Sequence, residues 1–109
     1  MSEENKQIDE IKKIFESTGI NTVYGKQKEK IEPPYICFYF LENVVFYADG
    51  VPYYKRLKIA ADLYTRFKSP EIEKKLEDKI GKFTWTKEEN FLEDENVYKI
   101  SYEMEVQDE

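Results

Sequence analysis

The chain of 109 residues contains no histidine and only one cysteine, Cys37. Histidine is the commonest general base and metal ligand near neutral pH, so its absence removes the side chain most often used for these tasks. One cysteine cannot form a disulfide within the chain or build a cysteine-based zinc site. Cys37 lies in an apolar stretch, which favours a small buried side chain over a reactive thiol.

The chain also lacks the local motifs of common catalytic sites. Its four glycines stand alone at positions 19, 25, 50 and 81, so there is no glycine-rich phosphate-binding loop. No serine or cysteine nucleophile motif is present. Carboxylates are abundant, but their spacing does not indicate a catalytic pair. We therefore expect no enzyme activity, no cofactor and no metal, and an enzyme that uses paired carboxylates with a metal is a distant alternative.

Long hydrophobic runs and an excess of positive charge are missing as well. No run approaches the roughly 18 apolar residues that span a bilayer, and the polar first seven residues do not resemble a secretory signal peptide. We therefore expect an intracellular protein with no membrane partner. The net charge of −6 argues against binding nucleic acid tightly, because such affinity depends mainly on Lys and Arg. The acidity fits either simple solubility or the wall of a passage through which DNA slides.

The most regular pattern in the chain is the two-residue alternation of residues 53–67, which predicts a long strand with one buried face. A strand of this length suits the middle of a sheet. One face is apolar and the other is mixed. The apolar face carries Leu57, Ile59, Ala61 and Leu63, and the mixed face carries Lys58, Ala60, Asp62, Tyr64 and Arg66.

Three segments before this strand also predict extended structure. Residues 20–24 favour a short strand. Residues 35–41 are almost all apolar or aromatic, which predicts a strand with both faces covered. Residues 42–51 predict another strand, which ends in a turn at Asp49 and Gly50. For Asp49 this turn is the favoured interpretation over any functional role.

The end of the chain predicts an antiparallel hairpin formed by residues 83–91 and 97–106. Its second strand alternates as clearly as residues 53–67, so these two strands are expected to be neighbours in the sheet. The alternation gives the strand of residues 97–106 one apolar face and one mostly polar face. The apolar face carries Tyr98, Ile100, Tyr102, Met104 and Val106.

Residues 3–17 and 69–81 each carry apolar residues at helical spacing and predict amphipathic helices. Ser69 as N-cap followed by Pro70 marks the start of the second helix. The predicted order is therefore α-(β)-β-β-β-α-β-β. Antiparallel hairpins with two helices packed on one side form an α+β fold. We expect one domain over residues 1–109, with frayed ends that include residues 107–109 and a mobile charged loop at residues 26–32.

Asp62 is unusual because aspartate is disfavoured in the middle of a strand. The favoured interpretation is a cross-strand salt bridge to a lysine on the mixed face. A second interpretation places Asp62 at a contact between subunits, beside a basic residue of the neighbour. A catalytic role is the least favoured of the three.

The chain is rich in aromatic residues, with nine Tyr, seven Phe and one Trp. A domain of this size cannot bury all of them, and tyrosine is common at protein interfaces. A half-solvated sheet surface and a partner interface are equally favoured, whereas RNA binding lacks the basic groove that it needs. The predicted subunit or partner interface comprises Tyr39, Phe46, Tyr53, Tyr54, Asp62 and Tyr64, and Tyr47 is a further candidate for exposure.

Several short motifs are spread over residues 8–106. They are Pro34-Tyr35-Ile36, Tyr47-Ala48-Asp49-Gly50, Ile59-Ala60-Ala61-Asp62-Leu63-Tyr64-Thr65, Trp85 and Tyr98-Lys99-Ile100-Ser101-Tyr102-Glu103. With these motifs the sequence resembles small tail-completion proteins of long-tailed bacteriophages, also called tail terminators, and related head–tail joining proteins. The most specific piece is Asp62-Leu63-Tyr64-Thr65 followed by the Ser69-Pro70 helix start.

The resemblance implies a structural α+β subunit that assembles as a ring, often a hexamer, at the head-proximal end of the tail tube. Its implied partners are copies of itself, tail-tube protein and neck or connector proteins, with DNA only as passing cargo. It implies assembly in the bacterial host cytoplasm and a place in the virion, with a phage or prophage gene. The alternative is a small intracellular adaptor or inhibitor that binds proteins through a tyrosine-rich sheet face.

Overall fold

A computed structural model of the chain describes residues 3–25 and 31–108. The predicted charged loop at 26–32 falls mostly on residues outside this part. Within the described residues, two helices and five strands follow one another along the chain. They are α1 (Glu3–Glu16), β1 (Asn21–Tyr24), β2 (Tyr35–Ala48), β3 (Val51–Thr65), α2 (Pro70–Ile80), β4 (Thr84–Leu92) and β5 (Val97–Asp108).

The strands form one sheet with the order β1-β2-β3-β5-β4. Only β1 and β2 are parallel, and the other neighbouring strands are antiparallel. The α+β prediction is therefore confirmed. The central position of β3 and its pairing with β5 are confirmed too, because strict alternation on both strands let their apolar faces share one side of the sheet.

Both helices pack on the same face of the sheet and enclose the core. Phe15 of α1 stacks at a tilt against Phe38 of β2, with 5.2 Å between ring centroids. Leu76 of α2 is also fully buried in this core. The apolar side chains that β3 and β5 direct toward the helices complete it. They are Leu57, Ile59, Ala61, Leu63, Ile100, Tyr102 and Met104.

The predicted burial of residues 35–41 on both faces is wrong. Ile36 and Phe38 are completely buried, but Tyr39 and Leu41 are 36% and 43% exposed. Since the helices cover only one side of the sheet, the alternate residues of this apolar run face outward. A continuous apolar sequence therefore does not require two covered faces.

Residues 35–41 and 42–48 form one strand, β2, where the sequence predicted two. The pairing register with β3 shifts between Phe40 and Glu42 and again between Phe46 and Tyr47. Such irregularities bend a strand without ending it. Leu41, which lies at the first shift and has no partner in the register, therefore forms a bulge in the middle of a long strand, and the polar residues Glu42 and Asn43 that follow it pair with Lys58 and Leu57.

Helix α2 begins as predicted. The Ser69 side chain accepts a hydrogen bond from the Ile72 backbone N–H at 3.4 Å, and Pro70 is the first helical residue. This cap satisfies one of the donors that every helix leaves open at its start. The cap therefore fixes the first turn of α2, which begins shortly after Thr65, the last residue of β3.

The β2–β3 hairpin extends beyond the rest of the sheet. Its turn at Asp49 and Gly50 is confirmed, and both residues have positive φ angles of 53° and 76°, which a two-residue hairpin turn of this kind requires. Strand β5 pairs with β3 only as far as Lys55, opposite Asp108. Residues 46–54 therefore form a two-stranded projection, here called the arm.

Candidate functional site

The face of the sheet opposite the helices, here called the open face, is the candidate interaction surface. No described helix packs on it, because the buried residues of α1 and α2 join the core on the other side. Register places side chains of the three central strands next to one another here. They are Tyr35, Cys37 and Tyr39 on β2, Ala60, Asp62 and Tyr64 on β3, and Lys99, Ser101 and Glu103 on β5.

Asp62 lies at the centre of the open face. It stands between Cys37 and Ser101 on the neighbouring strands, and only 5% of its surface is exposed. Its Oδ2 atom is 3.9 Å from Nζ of Lys99. The structure thus contains the cross-strand ion pair that the residue types predicted. Because Asp62 is so well covered, a partner on this face would first meet the side chains around it.

Tyrosines form the rim around Asp62. The rings of Tyr35 and Tyr64 stack with centroids 4.6 Å apart and planes inclined by 17°. Partial burial, followed by the negative charge of nearby Asp62, raises the pKa of the Tyr64 and Tyr39 hydroxyls above the usual value. Both hydroxyls therefore stay protonated at neutral pH and can donate hydrogen bonds. Flat rings with neutral hydroxyls are typical of protein interfaces.

Cys37 is half-buried beside this rim, where the sequence predicted full burial. It lies on the open face because it alternates with buried Ile36 and Phe38. Its thiol donates a hydrogen bond to the Gly25 carbonyl oxygen at 2.9 Å. Burial, and then the charge of Asp62, raises the thiol pKa. The neutral thiol is the less nucleophilic form, which agrees with the predicted lack of reactivity.

The six residues predicted as an interface fall into two places. Tyr39, Asp62 and Tyr64 come together on the open face. Phe46, Tyr53 and Tyr54 belong to the arm, where Phe46 pairs with Tyr54 in register, and their side chains lie outside the described part of the structure. Tyr54 and Ala60 are six residues apart on β3, which corresponds to about 20 Å at the usual rise of a strand.

The sequence reasoning missed a charge cluster between α2 and β4, which is centred on a buried carboxylate. Glu73 of α2 is only 3% exposed, and its carboxylate is 2.8 Å from Nζ of Lys68 and 3.2 Å from Nζ of Lys87. Lys87 also bonds Glu77 at 3.0 Å, and the Tyr102 hydroxyl donates to Glu77 at 2.8 Å. The available signal was the four-residue spacing of Glu73 and Glu77, next to the apolar line of α2.

This cluster ties α2 to the β4 edge of the sheet and makes stability depend on pH. Burial alone would raise the pKa of Glu73, but hydrogen bonds from Lys68 and Lys87 outweigh it and lower the pKa below the ordinary value of 4.5. A carboxylate with a lower pKa in the folded state stabilises the fold above its unfolded pKa. That contribution is lost as the pH falls below about 4.5 and through the folded pKa.

We predict that Glu73→Gln lowers the free energy of unfolding at pH 7 by about 1.5–3 kcal/mol, the usual worth of hydrogen bonds to a charged group. The difference from the parent chain should shrink below pH 4.5, where Glu73 itself becomes neutral. Urea unfolding at pH 7 and pH 3 measures both values. Asp78→Asn is the matched control, because Asp78 forms an exposed pair with Lys74 and such pairs contribute about 0.5 kcal/mol or less. Equal losses in the two variants would contradict a special role for Glu73.

The described part of the chain shows no group of three or more His, Cys, Asp or Glu side chains placed to hold a metal ion. Nor does any helix in that part have the length and apolar character to cross a membrane. Compared with known proteins, the chain matches no protein-family model and no curated sequence.

Proposed function

We propose that the protein is a structural subunit of a phage or prophage tail, which forms a ring on the tail tube as a tail terminator or a neck-joining component. The observation that carries this proposal is the open face, where Tyr35, Tyr39 and Tyr64 lie near the buried Asp62 carboxylate and its partly exposed partner Lys99. Surfaces of this composition are typical of protein contacts. The assignment to a phage tail itself depends on the sequence resemblance.

Two further properties support an assembly role. The fold is α+β, as the resemblance implies. Both helices pack on one side of the sheet, so no described helix covers the other side, which is available to a neighbour. The net charge of −6 also suits a ring through which DNA passes, because like charge prevents phosphates from sticking to the wall. In this role the side chains contribute contacts and no chemical reaction.

The proposal is tested by mixing the purified chain with tail-tube protein encoded by neighbouring genes. We expect rings of about six copies that bind tube ends and stop tube growth, as seen by electron microscopy and native mass spectrometry. Tubes that keep growing at normal length in the presence of excess protein would contradict the proposal. The chain alone, studied over a concentration series by light scattering, shows whether rings form without the tube.

The open face also favours a second candidate, a small adaptor or inhibitor that binds another protein through Tyr35, Tyr39 and Tyr64. This candidate predicts a stable complex of one chain with one partner and no ring. The substitution Tyr39→Ser would weaken such a complex and would have no effect on the growth of tail tubes. The two candidates therefore differ in stoichiometry and in their effect on tube growth.

A further inference from the structure

The outer edge of β2 has no neighbouring strand over most of its length. Strand β1 pairs with β2 only from Tyr35 to Phe38, whereas β2 continues to Ala48. In the described part of the chain, the rest of β2 is paired on one side only, by β3. Alternate residues of such an edge direct a backbone N–H and C=O outward, where they form a template for one more strand.

The other edges of the sheet carry features that discourage pairing with a further strand. Edge strand β4 directs Lys87 and Glu89 toward the helix side, where they bond Glu73 and Lys68, and inward-pointing charges are a common protection of edges. Strand β1 is only four residues long, which is a second form of protection. On the other edge of the arm, Pro52 of β3 supplies no backbone N–H.

Residues 43–48 of β2, here called the free edge, carry none of these features. Their sequence, Asn-Val-Val-Phe-Tyr-Ala, contains no charged residue and no proline. Valine, phenylalanine and tyrosine favour strands, and six residues form a strand of ordinary length. The free edge is therefore the longest unprotected edge in residues 3–25 and 31–108.

The free edge is complementary to its own sequence. If two copies pair antiparallel about the middle of this segment, each aromatic residue of one copy lies opposite a valine of the other. Pairs between aromatic and β-branched residues are among the favourable cross-strand pairs of antiparallel sheets. The opposed residues are Val44 with Tyr47 and Val45 with Phe46, and each pair occurs twice.

The flanking residues limit this pairing to the free edge. One step farther along both strands, Glu42 of one copy would lie opposite Asp49 of the other, and like charges directly opposite are unfavourable. The bulge at Leu41 and the turn at Asp49 and Gly50 interrupt the strand at the same two places. Residues 39–42 separate the free edge from Phe38, so β1 ends before reaching it.

We propose that two copies of the chain pair antiparallel through their free edges and join their sheets into one continuous sheet. The contact uses the same six residues of each copy and is related by a two-fold axis, so it ends at a dimer. It goes beyond the proposed function, because a closed ring joins each subunit through two different surfaces. In such an assembly the free edges would connect one ring to another.

Two substitutions of Tyr47, which is 66% exposed, test the pairing. Both should keep the melting temperature within a few degrees of the parent value. Tyr47→Lys puts a charge on the edge, as natural edges do, and sedimentation under reducing conditions should show dimerisation at least about tenfold weaker. Tyr47→Thr keeps an uncharged residue that favours strands, so dimerisation should stay within about threefold of the parent.

Phe67→Lys is the matched control, because it makes the same kind of change at an aromatic side chain that is 79% exposed. Phe67 lies just beyond the opposite end of β3 and should not affect dimerisation. Equal dimerisation of Tyr47→Lys and the parent would overturn the pairing. A loss as large in Tyr47→Thr as in Tyr47→Lys would overturn it too, because the ring alone would then hold the dimer.

Hydrogen exchange measured by NMR tests the backbone bonds. In the monomer, alternate amides of residues 43–48 are bonded to β3, and the amides between them face outward. Exchange of these outward amides should slow at least about tenfold as the chain dimerises, because opening then requires separation of the copies. The amides on the outer side of β4 should show no such change. Dimers without this protection would contradict pairing through the free edge.

The results separate the free-edge contact from the proposed ring. Dimers with protected edge amides, together with tubes that grow normally, would support the contact and contradict the ring. Capped tubes without concentration-dependent protection of residues 43–48 would support the ring and overturn the contact. A parent chain that stays a monomer at millimolar concentration also overturns the contact, even if a strand of another protein protects the free edge.

Discussion

Replacing Leu63 with aspartate should unfold the protein. Leu63 is completely buried at the centre of the core, where β3 meets the helices. Loss of a buried leucine side chain costs about 2–5 kcal/mol, and a buried carboxylate without a partner adds several kcal/mol more. The sum is comparable to the roughly 5–15 kcal/mol that stabilise a domain of ordinary size. Circular dichroism and a thermal melt should show little or no cooperative folding.

Leu41→Asp is the matched control for this substitution. Leu41 belongs to the neighbouring strand β2, but it is 43% exposed and faces away from the helices. The new carboxylate can remain hydrated, so we expect a loss of about 1 kcal/mol or less, as for most surface substitutions. A milder variant, Leu63→Ala, should remain folded and melt at a lower temperature. If Leu63→Asp melts like the parent chain, the position of the core described here is wrong.

Replacing Asp62 with lysine is expected to cause the second largest loss of stability. The substitution removes the partner of Lys99 and places a second positive charge in a position that is 5% exposed. Breaking a buried ion pair typically costs about 3–5 kcal/mol. Since the Lys99 side chain is one third exposed, we expect a value near 3 kcal/mol, at the lower end of this range. Urea unfolding of the variant and the parent chain measures this change in the free energy of unfolding.

Glu42→Lys is the control, because it makes the same change of charge in an exposed pair with Lys58 on the same face. Glu42→Lys should lower the free energy of unfolding by about 0.5 kcal/mol. Combining Asp62→Lys with Lys99→Glu should recover part of the lost stability, and that recovery measures the coupling of the two charges. A stable Asp62→Lys variant that fails to assemble would instead favour the contact between subunits that the sequence also suggested.

Much of the fold was predictable because its elements carry clear local signals. Strict alternation over residues 53–67 predicted β3 and its buried side, and the same pattern near the end of the chain predicted its neighbour β5. The Ser69-Pro70 pair predicted the start of α2, because a serine side chain can accept a hydrogen bond from the first turn and proline suits the first helical position. The hairpin turn at Asp49 and Gly50 was equally clear, since few residue pairs accept two positive φ angles.

Other features could not be read from local sequence. The apolar run in β2 does not reveal that one of its faces is open, because that depends on where two distant helices pack. Glu42 and Asn43 have the composition of a turn, and only their pairing with β3 shows that they continue one strand after a bulge at Leu41. The Glu73 cluster joins residues from α2, β4 and β5, so no single segment predicts it.

The sequence by itself determined the α+β class, the central strand and the Ser69 cap of α2, because each follows from periodicity or from a short-range preference. It favoured a lysine partner for Asp62, and the tertiary structure placed Lys99 there. The tertiary structure decided which tyrosines surround Asp62, how Glu73 is held, and that the exposed rings of Tyr47 and Phe67 lie at opposite ends of the molecule. These features arise from contacts between residues far apart in the chain, and such contacts leave no periodic signal in any one segment.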